Sequence, residues 1–338
     1  MGKNITITLF GESHGKGVGA LITGLPPHIP VDEAAIEAAL ARRRPGGRYD
    51  TTRKEPDPWE ILSGTYLGKT TGDPLAIWIP NKDTKSQDYE NMPYRPGPSD
   101  YTAHVKTFGA DDPRGAGHRS GRLTAPLVAA GAIVRSFLET QNIHITSGVT
   151  EIGGEQSPAA QEKALEKAKE EKDSLGGIVR LTITGAPAGL GGPRENSAQS
   201  ALAHALYAVG AVKSVAFGAG EGAARLKGSQ NNDPYIEENG IVRTTSNNAG
   251  GILGGITTGD AIEITVAVKP TPSIGKVQHT VNRKREEVEY AIEGRHDTAL
   301  VLRIPVALES AAAFVVADSL IAAWGDIGFR EMKREEEQ

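Results

Sequence analysis

Residues 114–134, RGAGHRSGRLTAPLVAAGAIV, join a basic glycine-rich loop to a run of small apolar side chains with no acid between them. Arg114, His118, Arg119, Ser120 and Arg122 supply donors and positive charge, while Gly115, Gly117 and Gly121 allow the backbone to approach a ligand closely. A phosphate or carboxylate suits such a loop, and a buried helix over the apolar run would aim its positive end at the same point. The competing reading is a solvated loop that caps a core helix.

A second chemical turn is Gly11-Glu12-Ser13-His14-Gly15. Consecutive Ser and His cannot readily form the nucleophile–base hydrogen bond of a hydrolase, so His14 is better cast as a general acid or a donor to an anionic leaving group. A third is Glu293-Gly294-Arg295-His296-Asp297-Thr298, where Asp297 is either ion-paired with Arg295 or a base that this arginine keeps ionised near a cofactor. The stretches 246–255 (SNNAGGILGG) and 269–273 (KPTPS) offer amides, hydroxyls and a lysine suited to an isoalloxazine ring and a ribityl phosphate. Other motifs fail on spacing. Three residues separate Gly64 from Gly68 where a phosphate loop needs four, and neither GxGxxG at a helix start nor HExxH occurs. The histidines are too dispersed to predict a metal site.

The absence of cysteine excludes disulfides and thiolate chemistry and is compatible with a reducing cytoplasm. A net charge of −5 argues against general nucleic-acid binding, yet Arg42, Arg43, Arg44, Arg48 and Arg53 cluster, which points to a small anionic ligand. With no signal-type apolar region in the first residues and no run of about 18 uninterrupted apolar residues, a cytoplasmic protein without a membrane span is expected.

The elements that must carry these turns follow from periodicity. Residues 4–10, 18–23, 60–63 and 75–79 read as strands, and Asp32 caps a helix over 33–43. Arg42 to Arg44 then close that helix against its dipole. Residues 80–117 read as a long polar loop, which Tyr89, Tyr94, Tyr101 and Phe108 mark as functional. The second half echoes the first: LITGLPPHIPVD at 21–32 matches TITGAPAGLGGP at 182–193, GKTTGDPLAIWI at 68–79 matches GITTGDAIEITV at 255–266, and His118 and His296 each precede an apolar segment. One domain is expected over 1–338, with halves of about 1–139 and 178–330 joined by a solvated charged helix at 159–172.

Ten ordered segments resemble the chorismate synthase family: FGESHGKGVGALITGLPP at 10–27, RRRPGG at 42–47, TTRKEPDPWEILSG at 51–64, TTGDP at 70–74, RPGPSDYT at 95–102, SGRLTAPLVAAGAI at 120–133, GSQNND at 228–233, NNAGGILGGITTG at 247–259, KPTPSI at 269–274 and GRHDT at 294–298. The resemblance implies an α+β fold, a β-α-β sandwich with internal pseudo-duplication, assembled as a homotetramer. The implied activity is that of a lyase of the shikimate pathway: trans-1,4 elimination of phosphate from 5-enolpyruvylshikimate 3-phosphate to give chorismate. It depends on reduced FMN, supplied with electrons by NADPH or by an external flavin reductase.

By that resemblance Ser13, Arg43, Arg48, Arg122 and Arg295 bind the substrate, His14 assists the departing phosphate, and Asp297 helps the flavin take up the C6 hydrogen. Flavin contacts fall on His118, Arg119, Ser120, Gly210, Ala211, Gly254, Lys269, Pro270, Thr271, Pro272, Ser273 and Arg295. Pro98 stands where relatives carry a histidine that serves the reduced flavin, and His118, or after it His104, is expected to take over. Asn248 and Thr298 are further departures. Pro98 also motivates the alternative of a flavin- or small-anion-binding homologue impaired in catalysis.

Overall fold

Alternating buried and outward residues build two four-stranded antiparallel sheets with their apolar faces turned to a shared layer of helices. The computed structural model describes residues 2–51, 56–82, 92–292 and 297–336, with side chains as far as 323. The first sheet contains β1 (Thr6–Gly11), β2 (Gly17–Thr23), β3 (Glu60–Ser63) and β4 (Leu75–Pro80), in the order β1-β2-β4-β3. The second contains β5 (His144–Ile152), β6 (Gly177–Thr184), β7 (Val212–Phe217) and β8 (Ile262–Val268), in the order β5-β6-β8-β7. Relative strand order is therefore the same in both, and so is register at the first hairpin, where Thr6 faces Thr23 and His144 faces Thr184.

Apart from a single turn at Gly228–Asn231, the helices are α1 (Glu33–Arg43), α2 (Asp100–Lys106), α3 (Thr124–Glu139), α4 (Pro158–Glu170), α5 (Ala198–Tyr207) and α6 (Pro305–Glu336). Asp32 caps α1 by accepting from the amides of Ala34 (2.9 Å) and Ala35 (3.1 Å). Helix α3 packs on β2 and β4, α6 packs on β5 and β6, and α3 and α6 pack on one another with α1 and α5 flanking them. Two sheets enclosing one helical layer make an α+β sandwich of β-α-β type. At the centre, a Cβ on Gly131 would lie 2.3 Å from Ser310 Cβ, so the two core helices meet closer than any larger side chain allows.

The two repeated motifs meet through the same hydrogen bonds in each half. Thr70 Oγ1 donates to the Pro26 carbonyl (2.7 Å) and accepts from the Ile29 amide (3.0 Å). Thr257 Oγ1 donates to the Pro187 carbonyl (2.6 Å) and accepts from the Leu190 amide (2.9 Å).

Two sequence expectations are revised. Within 80–117 the chain forms α2 and a 3₁₀ segment, Arg114–Arg119, where a continuous loop was expected; α2 is too short to show an apolar period and has no side-chain cap. Arg42, Arg43 and Arg44 do more than oppose a dipole, because each has its own carboxylate: Glu309, Asp57 and Glu37. Residues Pro305–Ala323 have the length and mean hydropathy (1.8) of a membrane-crossing helix, but Glu309 and Asp318 interrupt the apolar run and 72% of it is buried in the sandwich. Glu309 within it is 1% exposed and accepts from Arg42 and Ser147 (each 2.7 Å) and Arg135 (2.8 Å), which pins α6 to α1, β5 and α3.

A further tie closes the molecule end to end. Asp318 Oδ1 on α6 accepts from the amides of Lys3 (2.8 Å), Asn4 (2.6 Å) and Ile5 (2.8 Å), just before edge strand β1.

Candidate active site

The turn between β1 and β2 carries Ser13 and His14, and the loop that leads into α3 closes over it. Ser13 is 1% exposed and its amide donates to the Gly117 carbonyl at 3.1 Å. Residues 115, 116 and 117 all have positive φ (56°, 67° and 54°), which bends the loop onto the Ser13-His14 turn. A Cβ on Gly115 would stand 2.4 Å from His14 Cε1 and 2.8 Å from Ser13 Oγ, so only glycine fits there. His118 Nδ1 donates to the Gly11 carbonyl (2.9 Å), leaving Nε2 of this exposed ring as its other donor or acceptor.

The arginines of the loop are not bare charges. Arg114 pairs with Asp112 and Arg119 with Asp111, both at 2.8 Å, and the Arg114 hydrogen bonds hold the Asp112 carboxyl below its usual range. Acids on the preceding residues thus offset a segment that contains none itself. Arg119 also borders a shallow depression, with Tyr94, Arg95, Asp111, Ala116 and Arg283 around it.

Arg122 reaches the interior. Its Nε donates to Asn81 Oδ1 (3.0 Å) and its Nη1 to Asp57 Oδ1, while Ser120 Oγ accepts from its amide (3.3 Å). Asp57 Oδ2 accepts from Arg43 Nη2 and lies 3.5 Å from Arg44 Nε. Asp57 is completely buried, and Arg43 and Arg122 are 7% and 6% exposed. Burial alone would raise the Asp57 carboxyl, but Arg43 and Arg122 outweigh burial and hold it below the ordinary carboxylate range. Three guanidinium groups, those of Arg43, Arg44 and Arg122, meet this carboxylate, and with Glu37 also on Arg44 the cluster remains net positive.

Two connections extend the cluster. On one side Asn81 Nδ2 donates to the carbonyls of Glu12 (2.9 Å) and Gly15 (3.0 Å), which ties Arg122 to the turn bearing Ser13 and His14. On the other, Arg303 Nη1 donates to the Arg43 carbonyl (2.9 Å) and Nη2 pairs with Asp297, whose Oδ1 also accepts from the Thr51 amide (3.0 Å). A continuous chain of polar contacts thus runs from Asp297 through Arg303, Arg43, Asp57, Arg122 and Asn81 to the His14 turn. Asp57, Asn81 and Arg303 were not singled out by sequence reasoning. Asp57 lies inside the 51–64 segment that carried the family resemblance, which was the available signal.

Not every expected residue joins this chain. Arg48 is exposed and turns to Glu162 (3.4 Å) and Glu166 (2.8 Å) of α4, whose Lys169 donates to the Arg48 carbonyl (3.0 Å). Arg295, expected beside Asp297, lies outside the described residues, as do Arg53, Tyr89 and His296. The cation that pairs with Asp297 among the described residues is Arg303.

The residues assigned to a flavin form a neighbouring group. Lys269 donates its amide to the Ala211 carbonyl (2.9 Å) and its Nζ to the Gly97 carbonyl (3.1 Å), which brings Gly210 and Ala211, the 269–273 segment and the Pro98 loop together. Gly97 abuts Pro272, and Ser174 Oγ donates to the Thr271 carbonyl (2.6 Å). Thr271 Oγ1 is buried without a hydrogen-bond partner among the described residues. Gly254 sits apart, on the turn of the Ile252–Leu253/Ile256–Thr257 ribbon near the start of α5, with open space beside its Cα. His104 packs against Tyr94, ring centroids 5.9 Å apart, with Nδ1 buried and unpartnered among the described residues.

Comparison with known proteins gives the family. The family model described as chorismate synthase matches residues 5–321. A chorismate synthase of Thermococcus kodakarensis is 43% identical over 349 aligned positions, covering 96% of this chain and 98% of its own. That of Pyrococcus abyssi is 44% identical, covering 95% and 97%. A crystal structure of chorismate synthase superposes with a TM-score of 0.79 at 29% identity and covers 100% of this chain and 97% of its own.

Proposed function

Given that the chain belongs to the chorismate synthase family, we propose that it eliminates phosphate from 5-enolpyruvylshikimate 3-phosphate to give chorismate, as a lyase dependent on reduced FMN. The observation that carries this reading is the buried, net-positive Arg43–Asp57–Arg122 cluster, joined by hydrogen bonds to the His14 turn on one side and to Asp297 on the other. A polyanionic substrate needs such a cluster.

In this reading Arg43, Arg122 and Ser13 hold the anionic groups, and His14 donates a proton to the phosphate oxygen as the C3–O bond breaks. Asp297, fixed by Arg303 and the Thr51 amide, assists removal of the C6 proton as the new double bond forms. Bound reduced FMN supplies electron density to the substrate and a base for that hydrogen. The donor set fits this group: Thr271 Oγ1 is buried with no hydrogen-bond partner among the described residues, and Lys269, Ser273, His118, Arg119 and Ser120 add donors for a phosphate and ring heteroatoms. No observation favours the impaired homologue.

The chain is further read as one unit of two halves, about 1–139 and 178–330, supported by the repeated strand order and Thr70/Thr257 contacts. Assembly as a homotetramer is supported by exposed Tyr235, Ile241 and Val242 on the Tyr235–Glu238/Ile241–Thr244 ribbon. Anaerobic incubation with the substrate and reduced FMN should release phosphate and chorismate together; phosphate without chorismate, or neither, refutes the assignment. Oxidised FMN with NADPH and no second protein then tests whether reduction is intrinsic.

A further inference from the structure

Of the charged groups at the core of the site, Asp57 has no part in the steps above. It is fully buried between the two guanidiniums, offering one carboxylate oxygen to each. Its φ of +46° is a left-handed conformation that few residues tolerate, in a segment flanked by Pro56 and Pro58. Two neighbouring guanidiniums repel unless a carboxylate lies between them, and a carboxylate with an oxygen on each also fixes their separation. Arg43 Nε is buried and without a hydrogen-bond partner among the described residues, so donor capacity is left over beside the anion this cluster suits.

We propose that Asp57 is a positioning residue: it sets the spacing and direction of Arg43 and Arg122 toward the substrate's anionic groups, and Asn81 holds Arg122 from the other side. The proposal rests on the reading of Arg43 and Arg122 as substrate contacts. It assigns Asp57 no contact with the substrate.

The test is Asp57→Asn in the full chain, because asparagine tolerates positive φ and keeps the side-chain shape while removing the charge. KM for the enolpyruvyl ester and the inhibition constant of inorganic phosphate should both rise about tenfold or more, with kcat within about threefold of wild type. Glu309→Gln is the control: it disrupts an equally buried carboxylate cluster that shares no residue with the Asp57 cluster, and should lower Tm while leaving KM and phosphate inhibition unchanged. Wild-type KM and phosphate inhibition in Asp57→Asn overturn the proposal, as does a fall in kcat alone. If Asp57→Asn fails to fold, Asn81→Ala carries the test from a half-buried position, with an expected rise in KM of about threefold or more; an unchanged KM overturns the proposal. Failure of the functional reading looks different. In that case wild type does not convert the ester at all, while phosphate binding still weakens in Asp57→Asn.

Discussion

His118 and His104 differ in what their rings already hold. The Nδ1 of His118 is committed to the Gly11 carbonyl and steadies the ring beside the Ser13-His14 turn, whereas His104 faces Tyr94 on α2. On the proposal that His118 takes the proton-lending role expected of a histidine in the 95–102 segment, where this chain has Pro98, the two rings should differ in effect. His118→Ala should therefore lower turnover with reduced FMN by about tenfold or more, and His104→Ala should leave it unchanged. The reverse result, read in the same anaerobic assay, would give the role to His104. Residues such as Ser13, His14, Arg122 and Asp297 were legible in the sequence because reactive types on glycine-bounded turns are rare as structural choices. Asp57, Asn81 and Arg303 were not, because their importance comes from what they meet: Asp57 meets an arginine 65 positions away, and Arg303 meets the Arg43 carbonyl 260 positions away. Arg48 shows the converse, an arginine in a promising cluster whose described partners are the acids of α4.

Helix α3 positions Arg122 at its start and packs on α6 at Gly131 and Ser310, so the site inherits the rigidity of that contact. Gly131→Ala would place a methyl 2.3 Å from Ser310 Cβ, and overpacking between buried helices destabilises by about 1–3 kcal/mol. Urea unfolding should show that loss. The strands and helices of the first half followed from apolar periodicity and one cap, with ends within a residue or two of 33–43, 60–63 and 75–79. Helix α2 escaped because seven residues carry no period, and its neighbour Arg95 takes Asp100 as an ion-pair partner instead of leaving it to the helix dipole.

At the scale of the whole molecule, the buried ion cluster makes stability depend on acidity. Because Asp57 titrates lower in the fold than in the unfolded chain, its contribution is fully present above the unfolded value near about pH 4 and fades as pH falls through the folded one. Wild type should exceed Asp57→Asn in unfolding free energy at neutral pH, and the gap should narrow as the pH falls from about pH 5 into the acid range. Denaturant titrations of the two proteins across that range check the sign. The paired Thr-Gly motifs marked a repeat in the sequence, but the shared strand order and the bond from each threonine to a Pro carbonyl in the preceding turn emerge only in the fold. The end-to-end tie through Asp318 left no such mark, since a lone acid on a helix announces no partner.

That tie has a consequence for how the polypeptide is made. The amides ahead of the first strand wait for a carboxylate more than 300 residues downstream, and at cellular synthesis rates the interval is on the order of tens of seconds. Throughout it, a nascent chain on the ribosome carries the amides of Lys3, Asn4 and Ile5 without the carboxylate that fixes the entry to its edge strand, and water must hold them in the meantime.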